Sequence, residues 1–203
     1  MSFLRILFLS IAVTMLASTT EAQVEENVNL TFDQNFESPD VPKRAKEYIV
    51  KHMDQLRREL VKNGYDVKPD RNAEILKVTI SCDELFSAGA IELKPAAMKR
   101  LSGLGLVVRD PRRYKVLVAV HTDDTGDDVY ADSLSEERSN AIDDALWQIA
   151  GEKETNVIPY GMGKDAFLDK NSSREGRARN RRVEFFIIPE QGLLDLAGGK
   201  PKR

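Results

Sequence analysis

The chain has 203 residues, enough for one globular domain with an extension or for one domain and a smaller one. Its hydrophobic fraction of 41% and charged fraction of 31% are typical of a globular protein and exclude a wholly disordered chain. The formal net charge of -3 gives no overall positive field, so the composition argues against nucleic acid as a partner.

The first 22 residues have the composition of a secretory signal peptide. Arg5 is the only charge among the first twenty residues, and an apolar run begins at Ile6 and ends at about Ala17. Small and polar residues follow, which predicts a signal peptide over residues 1–22 that is cleaved after Ala22. The alternative is an uncleaved membrane anchor, but the apolar run is shorter than the ~20 residues that a span needs.

Residues 23–72 are predicted to be a linker and an N-terminal helix. Residues 23–40 are polar and irregular, and Pro39 and Pro42 lie near their end. Residues 43–63 carry an apolar stripe at the three- and four-residue spacing of an amphipathic helix, which we expect to end at Gly64. The stripe consists of Ala45, Tyr48, Ile49, His52, Met53, Leu56 and Leu60. We expect it to pack on the following domain; a protein partner or a second copy of the chain is the alternative.

Residues 73–190 alternate between strand and helix patterns. Strands are predicted over 74–82, 114–120, 156–160 and 183–188, and helices over 95–108 and 135–150. This order, β-α-β-α-β-β, predicts an α+β helix-on-sheet sandwich with both helices on one face. Residues 191–203 are predicted to be a flexible tail.

Neither a thiol-based function nor a metal-based function is expected. The single cysteine, Cys82, cannot form an internal disulfide, and its place in a predicted strand indicates a buried apolar residue rather than a reactive thiol. With only His52 and His121 beside it, a structural zinc site is not expected. We predict no metal and no cofactor.

The strongest candidates for a functional site are Asp123 and Arg138. Asp123 follows the predicted central strand, and Arg138 falls in the first turn of the predicted helix over 135–150, which Ser133 or Ser135 could cap. Held side by side, a carboxylate and a guanidinium match a ligand with both an ammonium and a carboxylate, such as a free amino-acid end. The alternative is a salt bridge that only joins loop to helix.

Three segments that contain these residues resemble a known family. They are His121-Thr122-Asp123-Asp124-Thr125-Gly126, Leu134-Ser135-Glu136-Glu137-Arg138 and Asn180-Arg181-Arg182-Val183-Glu184. In this order they are similar to the motifs of the OmpA-like peptidoglycan-binding domain, a family that includes the peptidoglycan-associated lipoprotein and the flagellar stator anchor. The segment from Leu85 to Pro95 resembles the approach to that family's first helix. The resemblance covers roughly residues 74–190.

The resemblance implies a non-catalytic protein that binds the diaminopimelate of peptidoglycan stem peptides. It implies that Asp123 and Arg138 are the principal ligands and that Thr125 and Arg181 make supporting contacts. Thr122 and Asn180 are expected to support the site, Asn180 by shaping the turn into the last strand. With the signal peptide, it places the protein in the periplasm of a Gram-negative cell, free or associated with the outer membrane.

The chain departs from the family pattern beside the expected site. Val120 stands where the family often has Gly, and Ala131 stands where it commonly has Asn. Ser87 and Ala88 stand where relatives often have Asp or Asn. These changes remove possible hydrogen bonds to a ligand, so we expect Asp123 and Arg138 to carry more of the binding.

Other interpretations stay open at this point. A wall hydrolase could use His121 as a general base, although no nucleophile motif accompanies it. An adaptor could dock a partner on the helix over 43–63. The aspartates at 123–132 do not have the spacing of an EF-hand calcium loop. The basic run over 174–182 lacks the aromatic residues that stack on bases, and we expect it to contact stem peptide or glycan phosphate and solvent.

Overall fold

The computed structural model describes residues 30–198, and the predicted signal peptide lies outside them. One sheet of five strands organises this part of the chain. The strands are β1 (Asp66–Asp70), β2 (Ile75–Ser81), β3 (Tyr114–His121), β4 (Val157–Gly163) and β5 (Arg182–Pro189). Within residues 30–198, no helix combines the length and apolar character needed to cross a membrane.

The strands are arranged in the order β1-β2-β5-β3-β4. Only β3 and β4 run parallel to each other; the other neighbouring pairs are antiparallel. The last strand of the chain therefore lies at the centre of the sheet, where Phe185 is opposite both Val78 and Val118. Every residue of β5 is buried, as its nearly continuous apolar sequence requires.

Helices connect and cover the strands. In chain order they are α1 (Phe32–Glu37), α2 (Lys46–Lys62), α3 (Cys82–Leu85), α4 (Ala97–Leu101), α5 (Gly105–Val108), α6 (Asp128–Ile149), α7 (Arg174–Asn180) and α8 (Gln191–Gly198). Short 3-10 turns occur at Arg71–Ala73 and Ser102–Leu104. The mixed α/β architecture confirms the predicted helix-on-sheet fold.

The main core lies on one face of the sheet. It joins the apolar residues of α2, α4, α5, α6 and α8 to the strand residues that point to that face, such as Val78, Val118 and Phe185. The stripe of α2 is part of this core: Ile49, Met53, Leu56 and Leu60 are all buried. The expectation that this helix packs on the following domain is confirmed.

The opposite face of the sheet carries a smaller core. Ile75, Leu117, Ala119, Ile158, Phe186 and Ile188 form it. Phe32 and Phe36 of α1 cover it, and their rings lie 5.3 and 5.5 Å from that of Phe186 in edge-to-face geometry. Residues 23–40 were expected to be irregular throughout; instead α1 forms within them, because Thr31 and Gln34 make a reciprocal capping box.

Three further segments differ from expectation. β1 forms within the predicted linker and pairs with β2 from Asp66 to Asp70, so the sheet begins before residue 73. The helix predicted over 95–108 is interrupted at Ser102–Leu104, where Gly103 lies so close to Tyr65 that an added Cβ would be 2.6 Å from the ring. The expected loose tail is helical over Gln191–Gly198, and Leu193 and Leu194 are buried; residues 199–203 lie outside the described part.

The helix predicted over 135–150 begins two turns earlier, at Asp128. Its N-cap is Asp127, whose side chain accepts a hydrogen bond from the Tyr130 backbone N–H at 2.8 Å. The predicted caps do not act as caps. Ser133 donates to Glu137, and Ser135 donates to the Asp132 carbonyl and accepts from Gly163 N–H at 2.9 Å. Arg138 therefore lies in the helix interior, and the prediction that it falls in the first turn is wrong.

Candidate functional site

A cavity of about 450 Å³ opens where four parts of the fold meet. They are the loop after β3, one side of α6, the segment from α3 to the start of α4, and the turn between α7 and β5. Asp123, Thr125 and Arg138, predicted as site residues, line this cavity with Arg181 and Thr122. Asn180 does not line it. A volume of this size suits a small ligand or the end of a peptide.

Asp123 is 6% exposed and is fixed by two donors. One carboxylate oxygen accepts the Thr125 backbone N–H at 2.9 Å, and the other accepts a guanidinium N–H of Arg181 at 2.6 Å. Burial would raise the pKa of Asp123, but the hydrogen bonds from Arg181 and Thr125 outweigh it and hold the pKa below its ordinary value. The carboxylate therefore stays charged, and each oxygen keeps lone-pair capacity for a further donor.

Arg181 joins two acidic side chains. It contacts both oxygens of Asp83, at 3.0 and 2.7 Å, and reaches Asp123 with its third nitrogen. This bidentate contact lowers the pKa of Asp83, and the Arg181 pKa is raised correspondingly by Asp83 and Asp123. Arg181 thus orients Asp123 from one side of the cavity.

Arg138 lies in the cavity wall without an acidic partner. Only 4% of the residue is exposed, and its guanidinium donates to the backbone carbonyls of Ala90 at 2.8 Å and Ser87 at 3.2 Å. It also lies over the ring of Phe86, 4.8 Å from the centroid, a cation–π geometry. Within residues 30–198, no salt bridge involves Arg138. The interpretation of Asp123 and Arg138 as a structural salt bridge is therefore wrong.

Thr122 and Asn180 act on the backbone around the cavity. Both the backbone N–H and the hydroxyl of Thr122 donate to the Gly163 carbonyl, which joins the loop after β3 to the end of β4. Asn180 is fully buried; its carbonyl oxygen accepts the N–H groups of Leu168 and Asp169, and its amide donates to Asp169 and Asn171. Asn180 therefore holds the loop before α7 and the turn that presents Arg181.

Four other residues that line the cavity have charged or aromatic side chains and were not assigned to a site from the sequence. Phe86 and Lys94 come from the segment Leu85–Pro95, which resembles the family's approach to its first helix. Asp83 lies in α3, just before that segment, and Tyr130 lies in the first turn of α6. Asp83 could have been suspected because it is an acid directly after a predicted strand. Lys94 could have been suspected because it is a base directly before Pro95. Tyr130 could not, because the predicted helix began after it.

His121 contributes to the other face of the sheet. Its ring donates to the Asp165 carbonyl at 3.0 Å, and the second ring nitrogen lies 3.6 Å from Glu184. Glu184 in turn pairs with Arg182 at 3.0 Å and Lys77 at 3.4 Å. His121 does not line the cavity, so it is not placed beside Asp123 as a general base would need to be.

Other chemically reactive groups lie outside the cavity or form no cluster. Cys82 is buried, and burial raises the pKa of its thiol to about 12, which keeps it protonated and inert. Within residues 30–198, no cluster of three or more His, Cys, Asp or Glu side chains could hold a metal ion. Among the aspartates after β3, Asp127 caps α6 and Asp128 forms an ion pair with Lys164 at 2.9 Å.

The comparisons with curated proteins give relatives among outer-membrane proteins. The probable lipoprotein YiaD of Escherichia coli is 29% identical over 126 residues, which cover 62% of this chain and 57% of the relative. Outer membrane porin F of Pseudomonas aeruginosa is 32% identical over 118 residues, which cover 58% of this chain and 33% of the relative. The chain thus spans between a third and three-fifths of the length of these two relatives.

Solved structures show the same fold. A putative MotB-like protein from Desulfovibrio vulgaris is 25% identical with a TM-score of 0.62, and the match covers 71% of this chain and 98% of that one. The cell wall anchor of the T6SS from Pseudomonas aeruginosa is 26% identical with a TM-score of 0.53, covering 66% and 94%. The OmpA family model matches residues 85–181, which contain every residue of the cavity described above except Asp83. Residues 85–181 of this chain therefore match the OmpA family.

Proposed function

We propose that this protein binds peptidoglycan without cleaving it and so attaches to the cell wall. In this proposal the cavity takes the free amino-acid end of diaminopimelate in a stem peptide. Asp123 accepts hydrogen bonds from the ammonium, and Arg138 donates to the carboxylate. The observation that carries the proposal is a nearly buried arginine that faces a cavity and has no acidic partner among residues 30–198.

The charges of the cavity match such a ligand. A buried cation without a partner is unfavourable, and a ligand carboxylate would relieve that cost. Asp123 is already ionised and oriented by Arg181 and Thr125, so little reorganisation is needed when an ammonium binds. Thr122 and Asn180 support the site indirectly, because they hold the loops that carry Asp123 and Arg181.

The relatives support the cellular setting. They include a probable lipoprotein, an outer membrane porin and a cell wall anchor. A periplasmic location, free or associated with the outer membrane, agrees with the signal peptide predicted from residues 1–22. Diaminopimelate peptidoglycan is the ligand in that compartment that offers free amino-acid ends in large number.

Two alternatives have less support. An adaptor that docks a partner or a second copy on α2 would need an accessible apolar stripe, but Ile49, Met53 and Leu60 pack into the chain's own core. A wall hydrolase would need a base beside the ligand, and His121 contacts Glu184 and Asp165 on the other face of the sheet. A muropeptide-release assay on purified sacculi separates the proposal from the hydrolase, because turnover is expected only from an enzyme.

Retention on purified sacculi tests the proposed site. Each charge-assisted hydrogen bond contributes about 1.5–3 kcal/mol, so Arg138→Ala and Asp123→Ala should each weaken binding at least about tenfold. Arg58→Ala is the matched control, since Arg58 is exposed on α2 and does not line the cavity. Thermal unfolding of each variant checks that the fold is intact. Equal retention of folded wild-type and variant proteins would contradict the proposal.

A further inference from the structure

The cavity contains more positive than negative charge. Its charged side chains are the acids Asp83 and Asp123 and the bases Lys94, Arg138 and Arg181. Both acids are paired with Arg181. Lys94 and Arg138 are two further cations in the same cavity. Among residues 30–198, neither has a carboxylate within salt-bridge distance. A zwitterionic amino-acid end brings no net charge and would leave this excess in place.

Lys94 is held at the cavity by the backbone around it. Its ammonium donates to the Asp83 carbonyl oxygen at 2.6 Å, and its backbone N–H donates to the Leu85 carbonyl at 2.8 Å. An ammonium has three donors, and this contact uses one of them. The Lys94 ammonium is therefore held in place and keeps two N–H donors for a ligand. The side chain is partly exposed.

Lys94 and Arg138 flank the same short stretch of backbone pairing. Phe86 and Leu93 form an isolated antiparallel bridge, and Lys94 directly follows Leu93. Arg138 lies over the ring of Phe86. Both cations line the cavity that also contains the Phe86 ring, and each could bind one of two carboxylates joined by an aliphatic chain.

We infer that Lys94 binds a second carboxylate of the ligand and makes the cavity selective for stem peptides that end in diaminopimelate. This inference rests on the proposed function. Diaminopimelate has two amino-acid ends joined by a short methylene chain. When one end is bound by Asp123 and Arg138, the carboxyl of the other end is free only if no residue or amide follows it. The ring of Phe86 and the side chain of Leu134 provide apolar wall for the methylene chain.

The test compares two synthetic stem tripeptides by calorimetric titration. One ends in diaminopimelate with its backbone carboxylate free, and the other carries a carboxamide there. Wild-type protein should bind the free acid on the order of tenfold more tightly, the value of one charge-assisted hydrogen bond. Lys94→Met should bind both peptides with the affinity that wild type has for the carboxamide, while Lys94→Arg should keep the preference. Lys99→Met is the matched control, because Lys99 is exposed on α4 and does not line the cavity.

The outcomes separate this inference from the proposed function. If wild type binds both peptides equally, or if Lys94→Met keeps the preference for the free acid, the role of Lys94 is wrong and the diaminopimelate site stands. If wild type binds neither peptide, both proposals fail. A loss of folding in Lys94→Met would not imitate the expected result, because the ratio of two affinities is measured on protein that still binds the carboxamide.

Discussion

Arg181 sets the arrangement of charge at the site. It binds Asp83 with two nitrogens and Asp123 with the third, so both acids of the cavity pair with Arg181. Among residues 30–198, no acid forms a salt bridge with Arg138. The motif segments identified Asp123, Arg138 and Arg181 from the sequence. They could not show which residues pair, because Asp83 and Arg181 are 98 positions apart and meet only through the pairing of β2 with β5.

Glu184 is a buried acid on the face of the sheet opposite the main core, and it contributes to the stability of the fold. Burial alone would raise its pKa, but His121, Arg182 and Lys77 lower it to about 2 from 4.5. Because the folded-state pKa lies below the unfolded one, the carboxylate stabilises the fold fully above pH 4.5. That contribution is lost as the pH falls towards 2.

Glu184→Gln should therefore destabilise the protein in a pH-dependent way. At pH 7 the free energy of unfolding should fall by about 3 kcal/mol, because Arg182 loses its buried partner. The difference from wild type should shrink between pH 4.5 and pH 2, measured by urea unfolding. The exposed Glu175→Gln is the control and should change stability by less than about 0.5 kcal/mol at pH 7. A difference that stays constant down to pH 2 would refute the account of Glu184.

At the scale of elements, the contact between α6 and β4 places Arg138. Gly161 of β4 lies directly under α6: an added Cβ would be 2.5 Å from the Glu136 backbone nitrogen. Ser135 adds a hydrogen bond from the Gly163 N–H to the same turn of the helix. Close packing of strand and helix backbones here fixes the height of Arg138 above the sheet.

Gly161→Ala should push α6 away from the sheet. We expect the free energy of unfolding to fall by about 1–3 kcal/mol, as in other overpacked sites, and binding to sacculi to weaken because Arg138 shifts. Gly105→Ala is the control, since a Cβ there would approach only side-chain atoms, at 3.3 Å or more, and alanine favours the helix. Wild-type stability and binding in Gly161→Ala would show that this contact does not position the site.

The elements differ in how well their sequence predicts them. Four of the five strands were predicted to within a few residues, because their apolar runs end at turn residues. The fifth, β1, was missed within the predicted linker. The start of α6 was not, because the exposed Val129 and Tyr130 interrupt the helical apolar pattern before Ala131. The break at Gly103 also could not be foreseen, because it depends on the ring of Tyr65, which is distant in sequence.

For the molecule as a whole, α1 closes the second face of the sheet. Beyond the aromatic contacts, Asn35 accepts a hydrogen bond from the buried Lys115 and donates to the Tyr160 hydroxyl, and Arg71 donates to the Phe36 carbonyl. A six-residue helix gives too short an apolar pattern to be detected in the sequence, so its packing is evident only in the folded chain.

Phe36→Ala should lower global stability without affecting the cavity. Removing this ring should cost about 1–3 kcal/mol in the free energy of unfolding, read from urea denaturation, because Phe36 packs on the second core. Phe167→Ala is the control: that ring is 43% exposed and its loss should matter little. Retention on sacculi should be unchanged in both variants. Weakened retention in a folded Phe36→Ala protein would show that the two faces are coupled.

The most direct test of the central claim is calorimetric titration of the protein with free diaminopimelate. Wild type should bind with one site per chain. Arg138→Lys keeps the charge but loses the planar guanidinium, so it should bind about tenfold more weakly, and Asp123→Asn should lose a similar amount. Arg58→Ala, at an exposed residue of α2 that does not line the cavity, should bind as wild type does. The absence of binding to wild type, or equal affinities in all four proteins, would contradict a diaminopimelate site formed by Asp123 and Arg138.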